Sequence, residues 1–144
     1  MITVEHLTKC YGDFMAVSDL SFEIEEGHVY GFLGPNGAGK STTMNIMTGC
    51  LSATDGTVRI GGYDIFEEPQ LAKKLMGYLP EQPPLYMNET PVEYLKFVGA
   101  AKGLKGMELA QQVEEVIDQT KIGSVRNKLI SALSKGYKQR VGIA

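Results

Sequence analysis

The chain of 144 residues is long enough for one domain or for a large part of one. With 43% hydrophobic and 22% charged residues and a net charge of −3, its composition fits a soluble globular protein. No apolar run approaches the roughly 20 residues of a membrane-spanning helix, and no apolar signal-peptide region follows Met1. We therefore expect any membrane role to depend on a partner.

The first 64 residues predict a sheet. Apolar and polar residues alternate over residues 2–5 and 20–25, which indicates antiparallel strands with one exposed face. The segment "GTVRIGGYD", residues 56–64, predicts another strand between glycine turns. The run "HVYGFLG", residues 28–34, is apolar without alternation, which predicts a strand buried on both faces.

Helical patterns dominate the rest of the sequence. One helix is predicted to begin near Lys40, and "LAKKLMGYLPE" predicts a short helix that leads into a short strand at residues 76–79. "TPVE" at residues 90–93 has the pattern of a capping box with proline at the first helical position. A further apolar stripe predicts a helix over about residues 107–120.

The most informative motif is "GPNGAGKS", Gly34 to Ser41, which fits the phosphate-binding (Walker A) pattern G-x-x-x-x-G-K-[ST]. Glycines let the backbone turn with positive φ and approach phosphate oxygens without a Cβ in the way. The helix that follows adds unpaired N–H groups and the positive end of its dipole. Lys40 would reach the outer phosphates, and the Ser41 hydroxyl would ligate a magnesium ion.

The loop alone does not separate a kinase, a GTPase and a transport ATPase. Tyr11, which precedes the loop in "TKCYGDFMAV", is either an aromatic ring that stacks on a purine base or a tyrosine packed in a strand-end turn.

With "GYLPEQPPLY" and "LSKGYKQR" after the loop, the chain resembles the ATP-binding subunit, or nucleotide-binding domain, of an ATP-binding cassette (ABC) transporter. The resemblance runs from about Thr3 to Ala144 and is strongest for bacterial exporter-type and gliding-motility-type subunits. It implies an α/β fold: a P-loop NTPase core with an N-terminal antiparallel β subdomain and a helical subdomain. The expected parts are residues 1–80, 81–133 and 134–144, the last being the start of the signature helix.

The resemblance also implies roles for individual residues. Tyr11 would stack on adenine, and the segment after Pro80 would sense the γ-phosphate and couple to the membrane subunits. Ser134 and Gly136 would contact the γ-phosphate of the ATP held by another subunit in a head-to-tail dimer. The implied nucleotide-binding residues are Tyr11, Gly34, Pro35, Asn36, Gly37, Ala38, Gly39, Lys40, Ser41 and Thr42. The implied signature residues are Ser134, Lys135, Gly136 and Tyr137.

The sequence departs from the family pattern at two motifs. Glu81 stands where the coupling segment usually has glutamine, and Gln82 follows it, so either residue could face the metal. In the signature, Lys135 replaces a glycine and Tyr137 a glutamine. The lysine either adds a positive charge toward the phosphates or is simply solvated.

A third departure concerns catalysis. The Asp-Glu pair that follows the signature helix in the family does not occur in these 144 residues. We therefore expect an N-terminal fragment that is truncated before the Walker B strand and inactive by itself, whereas the full-length protein would be an ATP hydrolase.

The basic residues near the C-terminal end allow two interpretations. No acidic residue follows Asp118, but six basic residues do. They either form a patch that faces an anion or are balanced by acidic residues beyond Ala144.

The resemblance implies ATP and Mg²⁺ as cofactors, transmembrane permease subunits and a second ATPase subunit as partners, and a place on the inner face of the cell membrane. No nucleic-acid partner is expected. ATP binding and hydrolysis would drive transport. The alternatives are a non-transport ABC-class ATPase of translation, repair or chromosome organisation, and an unrelated P-loop kinase or GTPase.

Overall fold

A computed structural model describes all residues 1–144, and the chain divides into two compact units, Met1–Tyr78 and Leu79–Ala144. The first unit contains the sheet and two helices, and the second is helical. None of the helices has both the length and the apolar character that crossing a bilayer requires.

The sheet of the first unit has four strands: β1 (Ile2–Tyr11), β2 (Phe14–Ile24), β3 (Asp55–Ile60) and β4 (Tyr63–Asp64). Their order is β2-β1-β3-β4, and each neighbouring pair is antiparallel. The prediction of antiparallel strands is confirmed. Since β1 and β2 are consecutive and joined by a tight turn at residues 12–13, they form a hairpin.

The core of this unit lies between one face of the sheet and helices α1 (Lys40–Met47) and α2 (Pro69–Lys74). Alternation places every second side chain of a strand on the inner face, and the helices contribute apolar residues from their own inner sides. The buried core residues are Val4, Leu7, Val17, Ile46, Met47, Val58, Ile60, Ile65 and Ala72.

Two predicted strands are not found. Residues 28–34 and 76–79 have no regular secondary structure, and the residues Val29 and Leu33 are almost fully exposed. A strand that is apolar on both faces needs a strand on each side and cover above and below. No other segment of these 144 residues pairs with either run, so the predictions of strands were wrong.

The second unit is built from α3 (Pro91–Ala101), α4 (Gly106–Gln119) and α5 (Lys135–Ile143). Between α4 and α5 the chain forms two short 3₁₀ turns, Gly123–Val125 and Ile130–Ala132. Both predicted helices of this region are present, with α4 starting one residue earlier than predicted. The buried core residues are Leu85, Leu95, Val113, Ile117, Ile122, Val125, Ile130, Leu133 and Val141.

A capping box begins α3, as predicted. The Thr90 hydroxyl oxygen accepts a hydrogen bond from the Glu93 amide, and the Thr90 amide donates to Glu93 Oε2 at 2.8 Å. Pro91 occupies the first helical position, where no N–H is needed. The local sequence therefore specifies where this helix begins, and a hydrogen bond from the Val92 amide to the Arg126 carbonyl at 3.3 Å supports its first turn.

We predict that Thr90→Ala lowers the free energy of unfolding by about 1 kcal/mol, because the side-chain acceptor of the cap is lost. Hydrogen bonds from the Thr90 hydroxyl and amide lower the pKa of the Glu93 carboxyl below its usual value. The contribution of the ionised carboxylate is therefore complete above that usual value and is lost as the pH falls through the lowered pKa. Urea unfolding at neutral and at acidic pH measures both effects.

Thr90→Ser is the matched control, since it keeps the hydroxyl and should unfold at nearly the same urea concentration as the unchanged protein. Equal losses for the serine and alanine variants would contradict the capping argument.

Candidate nucleotide-binding site

The glycine-rich loop ends at the N-terminus of α1. Gly39 is the N-cap residue, and no side chain caps the helix. The first-turn N–H groups of Lys40, Ser41 and Thr42 have no intrahelical acceptor, because the residues that would accept from them precede the helix. Free N–H groups and the positive helix dipole make this end of α1 suited to an anion.

The position of Gly39 excludes any residue that has a Cβ atom. Its φ is +80°, and a Cβ added to it would collide with the carbonyl oxygen of Ala16 and lie 3.0 Å from Cγ2 of Val17. Gly37 has a similar φ of +84° but open space around it. The loop therefore packs directly on the backbone of β2 at Gly39. At position 37, glycine is favoured only because the backbone has a positive φ.

Lys40 lies over the loop. Its Nζ donates hydrogen bonds to the carbonyl oxygens of Gly34 and Pro35, at 2.6 and 2.7 Å. An ammonium group has three donors, so one N–H is left for another acceptor. The two carbonyls thus hold the positive charge beside the helix N-terminus.

The hairpin of β1 and β2 brings two aromatic side chains to the same place. Tyr11, the last residue of β1, lies opposite Phe14, the first of β2, and the two residues are 49% and 64% exposed. Both line a cleft of about 290 Å³ together with the loop. The lining residues are Tyr11, Phe14, Ala16, Asn36, Gly37, Gly39, Lys40, Ser41 and Thr42.

The structure thus places Tyr11 and six of the predicted loop residues around one cleft. Three predicted residues belong to the loop but do not line the cleft: Gly34, Pro35 and Ala38. Within the loop, the Ala38 amide donates a hydrogen bond to the Pro35 carbonyl at 3.3 Å. Sequence reasoning missed Phe14 and Ala16. The tight turn between two alternating strands could have revealed Phe14, because a hairpin places it opposite Tyr11.

The described residues contain no group of three or more His, Cys, Asp and Glu side chains that could hold a metal ion. Ser41 is an exposed residue that lines the cleft, and its own amide is one of the free first-turn amides. Mg²⁺ in nucleotide sites is held by few protein oxygens and by substrate phosphates, so this residue set fits it.

The predicted coupling and signature residues lie in the second unit. Glu81, Gln82 and Lys135 line a cleft of about 450 Å³ together with, among others, Lys138 and Gln139. The Glu81 carbonyl oxygen accepts a hydrogen bond from Gln139 Nε2 at 2.8 Å. This bond ties the segment after Pro80 to α5.

The signature residues form the start of α5. Ser134 is the N-cap residue, and its hydroxyl oxygen accepts from the Tyr137 amide at 3.4 Å. A Cβ added to Gly136 would meet no atom within 4 Å, so the helix surface is open there. The Tyr137 ring lies 5.7 Å from the Arg140 guanidinium carbon, and its hydroxyl is 3.4 Å from Ser124 Oγ.

The basic residues that follow Asp118 are not all free. Arg126 forms a two-pronged ion pair with the Glu114 carboxylate, and Lys138 Nζ donates to the Ser131 carbonyl at 3.2 Å. Arg126 lowers the pKa of the Glu114 carboxyl through this hydrogen-bonded pair. A negative partner from α4 thus offsets part of the basic cluster.

Comparison with known proteins gives one consistent family. The sequence profile of the family described as ABC transporter matches residues 17–144. An ABC transporter ATP-binding protein of Methanocaldococcus jannaschii is 39% identical over 97% of this chain and 49% of its own length. A probable multidrug ABC transporter ATP-binding protein of Escherichia coli is 34% identical over 100% of this chain and 25% of its own length. The chain spans about half the length or less of these relatives.

Solved structures agree. The ATP-binding subunit of an ABC transporter superposes with a TM-score of 0.85 at 29% identity, over 99% of this chain and 60% of its own. A dimeric ATP-binding cassette, captured with ADP and Pi after hydrolysis, superposes with a TM-score of 0.84 at 26% identity, over 99% of this chain and 67% of its own. The predicted α/β P-loop NTPase fold class is confirmed.

We predict that Gly39→Ala destabilises the protein more than Gly37→Ala. Both alanines must adopt a left-handed conformation, which costs roughly 1–2 kcal/mol. Only the alanine at position 39 also collides with the Ala16 carbonyl, so the loop must leave β2. Thermal unfolding followed by circular dichroism measures the difference, and equal melting temperatures for the two variants would contradict the close packing of Gly39.

Proposed function

The chain belongs to the ABC transporter family, and we propose that it supplies the ATP-binding site of a subunit that couples ATP binding and hydrolysis to transport across a membrane. One observation carries the proposal. A single cleft combines an exposed aromatic ring, Tyr11, with an uncapped helix N-terminus and the Lys40 ammonium. The ring suits the planar base of ATP, and the free amides and the ammonium suit its phosphates, while the Ser41 hydroxyl in the same cleft suits Mg²⁺.

In this proposal the triphosphate lies along the loop and accepts hydrogen bonds from the first-turn amides of α1. Lys40 interacts with the outer phosphates, and at about 4 Å and an effective dielectric constant near 20 this attraction amounts to roughly 4 kcal/mol. Mg²⁺ would be held by the Ser41 hydroxyl and phosphate oxygens, and it neutralises negative charge on the phosphates. The base would stack on Tyr11, which is a contact that tolerates different bases.

Relatives suggest what the whole protein does. One relative in Bacillus subtilis is a linearmycin resistance ATP-binding protein, and another in Escherichia coli is a probable multidrug ATP-binding protein. By analogy we propose an exporter-type subunit, on the cytoplasmic side of the membrane, whose permease partners choose the cargo. Residues near Glu81 and Gln82 would transmit the state of the γ-phosphate to those partners. The relatives from Methanocaldococcus jannaschii and Escherichia coli are ABC transporter ATP-binding proteins, which does not favour a non-transport ATPase.

The second unit would provide half of a different nucleotide site. The start of α5 offers free N–H groups at Lys135 and Gly136, beside the Ser134 hydroxyl. In the proposal these groups bind the γ-phosphate of ATP held by a second subunit, so that ATP closes a head-to-tail dimer. A dimeric assembly is known for the cassette bound to ADP and Pi. In this proposal, residues 1–80 contain the β-rich region with the phosphate-binding loop, residues 81–133 form the helical subdomain, and residues 134–144 begin the signature helix.

We predict that Lys40→Ala weakens the binding of Mg·ATP by about tenfold or more, because a charge-assisted contact to phosphate is lost. Isothermal titration calorimetry measures the affinity. Lys74→Ala is the matched control, since it removes an exposed lysine from α2 outside the cleft and should bind ATP normally. Unchanged affinity for Mg·ATP in the Lys40 variant would contradict the proposed binding of phosphates by the loop and Lys40.

We also predict that Ser134→Arg spares the binding of ATP to the monomer but abolishes ATP-dependent dimerisation, because a bulky cation would occupy the place of the γ-phosphate. Gel filtration with and without ATP measures it. Ser134→Ala removes the same helix cap without adding bulk, and should weaken dimerisation less. If the Ser134→Arg variant still forms dimers in the presence of ATP, Ser134 does not contact the ATP of a second subunit as proposed.

A further inference from the structure

Tyr11 has a charged neighbour that the proposed function does not use. Lys9 lies two residues before it on β1, and the Lys9 ammonium is 5.3 Å from the centre of the Tyr11 ring. An ammonium over an aromatic face at this distance is attracted by the electron-rich face of the ring. Lys9 therefore contacts the residue proposed to carry the base.

The Lys9 ammonium is itself anchored. It donates a hydrogen bond to the Ser52 carbonyl oxygen at 2.8 Å. Ser52 lies in the segment between α1 and β3, so the anchor belongs to the chain that leaves the phosphate-binding helix. Two further hydrogen bonds join the end of β1 to this segment: Cys10 N donates to Thr54 Oγ1 at 3.0 Å, and Thr54 N donates to Thr8 O at 2.9 Å.

Lys9 is outside the cleft to which its neighbour belongs. Tyr11 lines the cleft that contains the loop, whereas Lys9 does not line it. The Lys9 ammonium therefore contacts the ring without occupying the cleft, and the Tyr11 residue stays 49% exposed for a flat ligand group.

We propose that Lys9 is a positioning residue for nucleotide binding, which holds the Tyr11 ring in the orientation that stacks on the base. The proposal rests on the proposed ATP site. An aromatic side chain that is half exposed can rotate, and ordering it during binding costs conformational entropy. Because the Ser52 carbonyl fixes the ammonium and the ammonium attracts the ring, the ring is ordered before the base arrives. Base-bearing ligands benefit, and a bare polyphosphate does not.

The test compares ATP with inorganic tripolyphosphate in the protein and in two variants. Lys9→Met keeps an unbranched stem beside the ring but removes the charge, and should weaken ATP binding about two- to fivefold, which corresponds to an exposed cation–π contact. Its affinity for tripolyphosphate should not change. Lys9→Arg keeps a cation that stacks on aromatic faces and should bind ATP nearly as well as the unchanged protein.

A second arm uses Tyr11→Ala. In that background Lys9→Met should have no further effect on ATP affinity, because the ring on which it acts is absent. Lys74→Met controls for the loss of one positive charge, and thermal unfolding checks that each variant is folded.

Three outcomes would overturn the positioning role: equal weakening of ATP and tripolyphosphate by Lys9→Met, an undiminished effect without the Tyr11 ring, or no effect on ATP. Failure of the proposed function has a different signature, since the unchanged protein would then not bind ATP. The positioning role thus fails only through the variants of a protein that binds ATP.

Discussion

The contact of Gly39 with the backbone of β2 is the constraint on which the candidate site depends. Because no Cβ separates them, the loop lies directly against the Ala16 carbonyl, and α1 begins at a fixed place beside the sheet. The same strand begins at Phe14 and pairs there with Tyr11. One close backbone approach therefore sets the distance between the phosphate end and the aromatic end of the cleft.

Local signals explain what could be predicted from the sequence. The glycine-rich loop, the capping box at Thr90 and the antiparallel strands each depend on residues that are close together in the chain. Each is explained by a few neighbouring residues. The loop needs residues that adopt a positive φ, the capping box needs a side-chain acceptor for a free amide, and a strand needs alternation of apolar and polar residues. The structure accordingly contains the helix start and the antiparallel strands, whereas the grouping of Tyr11 with the loop was implied only by the family resemblance.

Non-local conditions explain what could not be predicted. The run at residues 28–34 has the composition of a buried strand, but burial depends on neighbours that these 144 residues do not supply, and Val29 is fully exposed. Phe14 was missed for a different reason. The hairpin that pairs it with Tyr11 is local and could be read from the sequence, but Phe14 enters the cleft only through that pairing.

The two helix N-termini proposed to contact phosphate differ in a way that suits different tasks. At α1 no side chain caps the helix, so all first-turn amides are available, and Lys40 adds a full charge. At α5 the Ser134 hydroxyl already accepts from the Tyr137 amide, which leaves fewer free donors but keeps the hydroxyl proton for a ligand. The first arrangement is suited to holding a whole triphosphate within one chain. The second, with fewer donors, is suited to adding contacts to a phosphate that another subunit already holds, so that closure of a dimer would depend on the γ-phosphate and would reverse when it leaves.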